Sequence, residues 1–173
     1  MISKALKIAY SAHQGQIDKG GVPYVQHPIR VALNCMTDDE KIVALLHDVI
    51  EDTNVTVEEL QQAGFSTTIM NAIIALTRID GEDYMQFIKR LSLNALATSV
   101  KIQDLKDNMD VRRLMAALIG KWRFTKKPYR SSKVLNSHHK RWRRLLRSRS
   151  DMYISIALIE QSNSMGESFN NKL

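Results

Sequence analysis

Cysteine is nearly absent. Cys35 stands alone in 173 residues, which excludes an internal disulfide framework and fits a reducing compartment. Glycine and proline are scarce too, at seven and three, so turn formers are few and a helix-rich fold is favoured. No apolar run approaches the roughly 18 residues of a membrane span. The start, Met1-Ile2-Ser3-Lys4-Ala5-Leu6, lacks the basic residues, long apolar run and cleavage site of a secretory signal. A soluble, cytoplasmic protein with no membrane partner is expected. Acidic residues are missing from 121–149, which holds twelve Lys or Arg. That leaves 13 basic against 18 acidic residues elsewhere, a net −5, so the overall +7 describes a basic segment attached to an acidic body.

What is present is length for one domain with a real core, and helical patterning through most of it. Ser3 is placed to cap a helix running to about Gln16, packed through Ala5, Leu6, Ile8, Ala9 and Ala12. A glycine-containing loop leads to Tyr24-Val25-Gln26-His27-Pro28, where Pro28 suits the first position of a second helix and His27 its cap. Thr37 caps a central helix over 38–52 with Asp38, Asp39 and Glu40 in its first turn. Thr56-Val57-Glu58-Glu59 has capping-box spacing, with Gly64 ending that helix. Ser66 or Thr67 opens a helix carrying Ile69, Ile73, Ile74 and Leu76. Another spans 82–91, and Ser92 or Asn94 opens the next, to about Met109. No convincing strand is read, so the body is expected to be an all-α bundle.

The central helix carries the chemistry. At about 100° per residue, Ile42, Val43, Leu45, Leu46, Val49 and Ile50 share one side and Lys41, Ala44, His47, Asp48, Glu51 and Asp52 the other. An imidazole and three carboxylates beside a core face are costly unless paired or metal-bound. On the later helix, Lys101, Asp104 and Asn108 lie within about 60°, opposite Ile102, Leu105 and Met109. His27 is placed to point a ring nitrogen into a cleft. Two His and two Asp form a nitrogen and oxygen set for Mn, Fe, Zn or Mg, and ligand type alone leaves these open. Glu51 and Asp52 are placed to orient or deprotonate water, and Lys101 and Arg78 to neutralise phosphate charge. His13 reads as a structural residue and Cys35 as a small core residue.

The pattern of His27, His47-Asp48 and Asp104 resembles the H…HD…D signature of the HD-domain metal-dependent phosphohydrolases. Ala12-His13-Gln14-Gly15-Gln16, the stretch from Gly21-Val22-Pro23-Tyr24 to His27-Pro28, Leu45 through Glu51-Asp52-Thr53, and Lys101 to Asn108 are similar to the hydrolase domain of RelA/SpoT-type enzymes and the small alarmone hydrolases. The resemblance covers roughly residues 1–115. It implies an HD-domain helical bundle with a hydrolase core, taken as 1–118; the change of character from Gly120 marks a basic extension at 119–173, expected to carry one or two helices that pack on the core. It implies that His27, His47, Asp48 and Asp104 bind one divalent metal, usually Mn²⁺, and that Glu51 and Asp52 serve the nucleophilic water. Lys19, Tyr24, Lys101 and Asn108 would lie near nucleotide or phosphate. The implied reaction removes the 3′-pyrophosphate of guanosine tetra- or pentaphosphate, and relatives act on other nucleotides, NADPH included.

The chain departs from that pattern at two places. Asp18 stands where the alarmone hydrolases usually place an Arg that stacks on guanine, and Asp110-Val111 stand where an Arg and a Thr are common. Three readings therefore remain open: an alarmone-like hydrolase, an HD hydrolase of another nucleotide such as NADPH or a deoxynucleotide, and a non-catalytic nucleic-acid-binding module. The segment 121–149, with Trp122, Phe124 and Trp142 among its cations, suits a nucleic-acid backbone. It equally suits a solvated helix docked through Trp142, or a field that draws polyphosphates to the cleft.

Overall fold

The computed structural model describes residues 1–18 and 21–110, and among the described residues the regular structure is helical. Eight helices follow in order: α1 (Ile2–Ala12), α2 (Gln26–Leu33), α3 (Asp38–Leu46), α4 (Val49–Asp52), α5 (Val57–Gln62), α6 (Thr67–Leu76), α7 (Tyr84–Leu91) and α8 (Ala95–Met109). None is long and apolar enough to cross a membrane. The expected basic extension at 119–173 lies outside the described residues, as does Lys19.

Capping chemistry sets several starts. The Thr37 hydroxyl accepts the Glu40 N–H at 3.2 Å while the Glu40 carboxylate accepts the Thr37 N–H at 2.9 Å, so two otherwise orphaned donors are satisfied at the head of α3. Thr56 and Glu59 repeat the device for α5, and Ser66 and Asn94 cap α6 and α8. Gly64, at φ +82°, supplies the left-handed turn after α5.

The core forms around α3, which packs against α1, α2, α6 and α8. Ile42, Val43, Ala44, Leu45 and Leu46 are all buried. Five consecutive buried residues mean that α3 is enclosed on every side rather than along one stripe. The wheel that put Ala44 on a polar side is thereby corrected. Phe87 and Leu91 of α7 and Val100 and Leu105 of α8 complete the interior, and Cys35 is buried as expected.

Other boundaries also differ from expectation. Met1 caps α1, which ends at Ala12. Gly15, at φ +80°, then turns the chain, and an isolated antiparallel bridge pairs Ile17 with Pro23. Leu6, expected in the packed face, is partly exposed, as is Ile74 on α6. Helix α2 starts at Gln26 with Val25 at its cap, so His27 and Pro28 lie inside the first turn, where a missing N–H still costs nothing. Helix α7 starts two residues later than expected because Asp83 takes the cap, accepting the N–H groups of Met85 and Gln86 at 2.8 and 3.0 Å.

The largest correction is to the central helix, which does not run from 38 to 52. The His47 Nδ1 bonds the Ala44 carbonyl at 2.8 Å, the acceptor that a continuing helix would reserve for the Asp48 N–H. Asp48 adopts φ −99° and ψ −3°, and helix resumes with the Asp52 N–H on the Asp48 carbonyl at 2.9 Å. The chain turns at the two residues with the most chemistry.

If α3 is the hub of the core, Leu46→Ala should destabilise the full chain by about 3 kcal/mol, whereas Leu93→Ala, at a position 88% exposed, should change stability by less than about 0.5 kcal/mol. Urea unfolding followed by circular dichroism measures both.

Candidate metal centre

Three elements deliver the site. The first turn of α2 carries His27, the turn between α3 and α4 carries His47 and Asp48, and the middle of α8 carries Asp104. Ligand atoms of His27, His47 and Asp104 all lie within 4.8 Å of one another, and all three residues are buried. His27 Nε2 stands 3.1 Å from Asp104 Oδ1 and 3.7 Å from Asp48 Oδ2, while His47 Nε2 stands 3.0 Å from Asp48 Oδ2. The four residues named from the sequence as ligands are therefore brought together.

Their protonation pattern suits a cation. A carbonyl only accepts, so the His47 Nδ1 facing Ala44 carries a proton, and in the neutral ring Nε2 is then left as a lone pair. That Nε2 is buried with no hydrogen-bond partner, an arrangement that costs roughly 1–3 kcal/mol unless something binds there. Burial disfavours the charged form of His47, but without a cation Asp48 and Asp104 outweigh it and raise its pKa well above the ordinary value, so Nε2 carries a second proton that a bound cation would have to displace. Burial likewise opposes ionisation of Asp48 and Asp104. For Asp48 the His47 charge prevails and lowers the pKa to about 2. For Asp104 the Lys101 charge and the two neighbouring histidines hold it well below the carboxylate range. Two imidazole nitrogens and two ionised carboxylates aimed at one point form a donor set for a divalent transition metal.

Above this floor opens a cleft of about 460 Å³ lined by Ile17, Asp18, Tyr24, His27, Asp48, Asp52, Lys101, Asp104 and Asn108. The residues expected near substrate divide. Lys101 and Asn108 line the cleft, each donating to Asp104, at 2.8 and 2.6 Å. Tyr24 lines it too, but its hydroxyl donates to Asp48 Oδ2 at 2.5 Å and lies 3.4 Å from Asp52 Oδ2. Burial and the Asp48 charge raise the Tyr24 pKa strongly, so the hydroxyl stays a donor. Asp52 reaches the cleft, whereas Glu51 is not among its lining residues. The Glu51 carboxylate accepts the Arg78 N–H at 3.2 Å, and the Arg78 guanidinium donates to the Glu82 carbonyl at 3.1 Å. Neither Glu51 nor Arg78 lines the cleft, and the Glu51 carboxylate is engaged with the Arg78 backbone instead.

Sequence reasoning passed over Asp107, which is buried beside His27 Nδ1 at 2.7 Å and also accepts from Arg30. Its signal was its place three residues after Asp104, on the same face of α8. His13 is buried beside the site: its Nδ1 meets Gln16 Oε1 at 2.8 Å, its Nε2 has no hydrogen-bond partner among the described residues, and its ring packs 4.9 Å from that of Tyr24.

This geometry has known counterparts. The family model described as HD domain matches residues 5–124. The chain belongs to the HD-domain family. Within it, the chain is 44% identical over 82 residues to the guanosine-3′,5′-bis(diphosphate) 3′-pyrophosphohydrolase of Borreliella burgdorferi, covering 45% of this chain and 12% of that one. It is 28% identical over 125 residues to the bifunctional (p)ppGpp synthase/hydrolase SpoT of Escherichia coli K12, covering 62% of this chain and 17% of that one. The HD domain described here thus spans less than a fifth of the length of these relatives. A solved structure of a metazoan ortholog of SpoT, described as hydrolysing ppGpp, superposes with a TM-score of 0.56 at 20% identity over 94% of each chain. That likeness establishes the fold.

Because the Tyr24 hydroxyl is engaged with a carboxylate of the HD pair, Tyr24→Phe should weaken Mn²⁺ binding by about tenfold or more, read by calorimetric titration, while thermal unfolding of the metal-free protein changes little. An unchanged metal affinity with a raised nucleotide KM would return Tyr24 to a substrate-binding role.

Proposed function

We propose that this HD domain hydrolyses a nucleotide phosphoester or pyrophosphate with the help of one bound divalent cation, Mn²⁺ foremost, and that guanosine 3′,5′-bis(diphosphate) losing its 3′-pyrophosphate is the leading substrate. The observation that carries the reading is the buried His47 Nε2, without a hydrogen-bond partner, converging with His27, Asp48 and Asp104 at the floor of an open cleft. The names of the relatives support the nucleotide class. His27, His47, Asp48 and Asp104 would hold the cation, which when bound polarises a phosphoryl oxygen and lowers the pKa of a water.

The remaining steps belong to the protein. Asp52 faces the cleft beside Asp48 and is placed to orient the attacking water and take its proton. Glu51, one position earlier, is turned to the Arg78 N–H, so the general-base role falls to Asp52 first. Lys101 spends one N–H on Asp104 and has two more for phosphate oxygens; Asn108 has one amide N–H left for the same purpose. Burial disfavours the Lys101 charge, but Asp104 beside it raises the pKa, which keeps the ammonium charged toward an anionic substrate. A cytoplasmic setting agrees with a single, buried free thiol.

Asp18 in the cleft lining favours one alternative within the same chemistry. A carboxylate where the alarmone hydrolases usually carry an Arg gives the base a different neighbour, so another nucleotide, NADPH or a deoxynucleotide, is the second reading.

Product release from guanosine tetraphosphate, NADPH and common nucleotides in the presence of Mn²⁺ tests both. Turnover of at least one is expected, with Asp104→Asn abolishing it and Asp52→Asn lowering kcat about 10²- to 10⁴-fold while Mn²⁺ still binds. Failure of the Mn²⁺-loaded protein to turn over any of them, or full activity in Asp104→Asn, refutes the proposal.

A further inference from the structure

We propose that Asp107 and Arg30 form a positioning relay that fixes His27 in the tautomer able to hold the divalent cation. The proposal rests on the metal reading above and adds two residues to it. His27 Nδ1 lies 2.7 Å from Asp107 Oδ2, and the ring is buried. An ionised carboxylate only accepts, so Nδ1 carries a proton, and in the neutral ring Nε2 is then the lone pair toward Asp48 and Asp104.

The alternative tautomer has a ready partner. Asp104 Oδ1, 3.1 Å from His27 Nε2, would accept a proton placed on that nitrogen and so block the ligand face. Asp107 competes for the same proton from the other side of the ring. Arg30 biases the competition: its Nε donates to Asp107 Oδ1 at 2.8 Å and its Nη2 to Oδ2 at 3.2 Å, a fork that orients the carboxylate toward the ring.

The arrangement follows from helix geometry. Arg30 is three residues after His27 on α2, and Asp107 is three after Asp104 on α8, so each pair shares a face about one turn apart. Where α2 packs on α8, the ligands meet at one level and their supports at the next. The two histidines differ in this respect. The tautomer of His47 is set by the Ala44 backbone carbonyl, which no side-chain substitution removes. That of His27 depends on a side chain and is open to mutation.

The test is calorimetric Mn²⁺ titration of the full chain, with circular dichroism as a fold control. In Asp107→Asn the Arg30 fork claims the amide oxygen and turns the amide N–H groups toward His27 Nδ1, moving the ring proton to Nε2. The dissociation constant for Mn²⁺ should rise about 10- to 100-fold, while kcat and nucleotide KM at saturating Mn²⁺ return toward wild type. A purely structural role would instead lower the unfolding temperature without that split. Arg30→Gln, at a partly exposed side chain, should shift the metal constant in the same direction by less, and it decides the matter if Asp107→Asn fails to fold. Metal constants within about twofold of wild type in the folded variants overturn the relay and leave the metal reading standing. A wild-type chain that binds no divalent metal overturns both.

Discussion

One hydrogen bond organises the site: His47 Nδ1 to the Ala44 carbonyl at 2.8 Å. It takes the acceptor on which the next helical turn would be built, so α3 ends and the chain swings through Asp48 before α4 begins. It also places the ring proton on Nδ1 and leaves Nε2 buried without a partner. Because α3 is enclosed by apolar neighbours, the helix from which this turn springs is held by the core. The stability of the bundle therefore holds the chemistry in place.

Around that turn the electrostatics are asymmetric. Four carboxylates, of Asp18, Asp48, Asp52 and Asp104, line the cleft, and Lys101 is the cation among its described lining residues. Holding the buried Asp104 and the half-buried Asp48 together beside two imidazoles is unfavourable without added positive charge, which is why the floor suits a divalent cation. The partition of labour follows from exposure. Asp104 is sealed and bonded by Lys101 and Asn108, as a ligand should be. Asp52 is exposed at the cleft, where a group that exchanges protons with water has to be.

Much of this was legible in the residues. Capping boxes at Thr37 and Thr56 marked helix starts because their chemistry is local. The ligand set was legible because His27, His47-Asp48 and Asp104 form a pattern whose spacing survives errors of one or two residues in helix boundaries. What was not legible depended on contacts between distant segments. A wheel drawn through 38–52 assumed helix throughout and so could not show that Glu51 turns outward to the Arg78 N–H. Tyr24 lines the cleft, where the resemblance puts it near nucleotide, but its hydroxyl bond to Asp48, 24 residues away, could not be read from the chain. Asp107 carried no signal alone. Its meaning comes from lying 2.7 Å from a histidine 80 residues earlier in the chain.

The central claim is that His27, His47, Asp48 and Asp104 converge to hold one cation. Crystals grown with Mn²⁺ and measured at the manganese absorption edge address it directly. The account predicts a single strong anomalous peak within bonding distance of both histidine Nε2 atoms and of carboxylate oxygens of Asp48 and Asp104, about 2.0–2.3 Å away. No peak at that point, or an ordered Mn²⁺ bound elsewhere with the two Nε2 atoms instead hydrogen-bonded to the carboxylates, would contradict it.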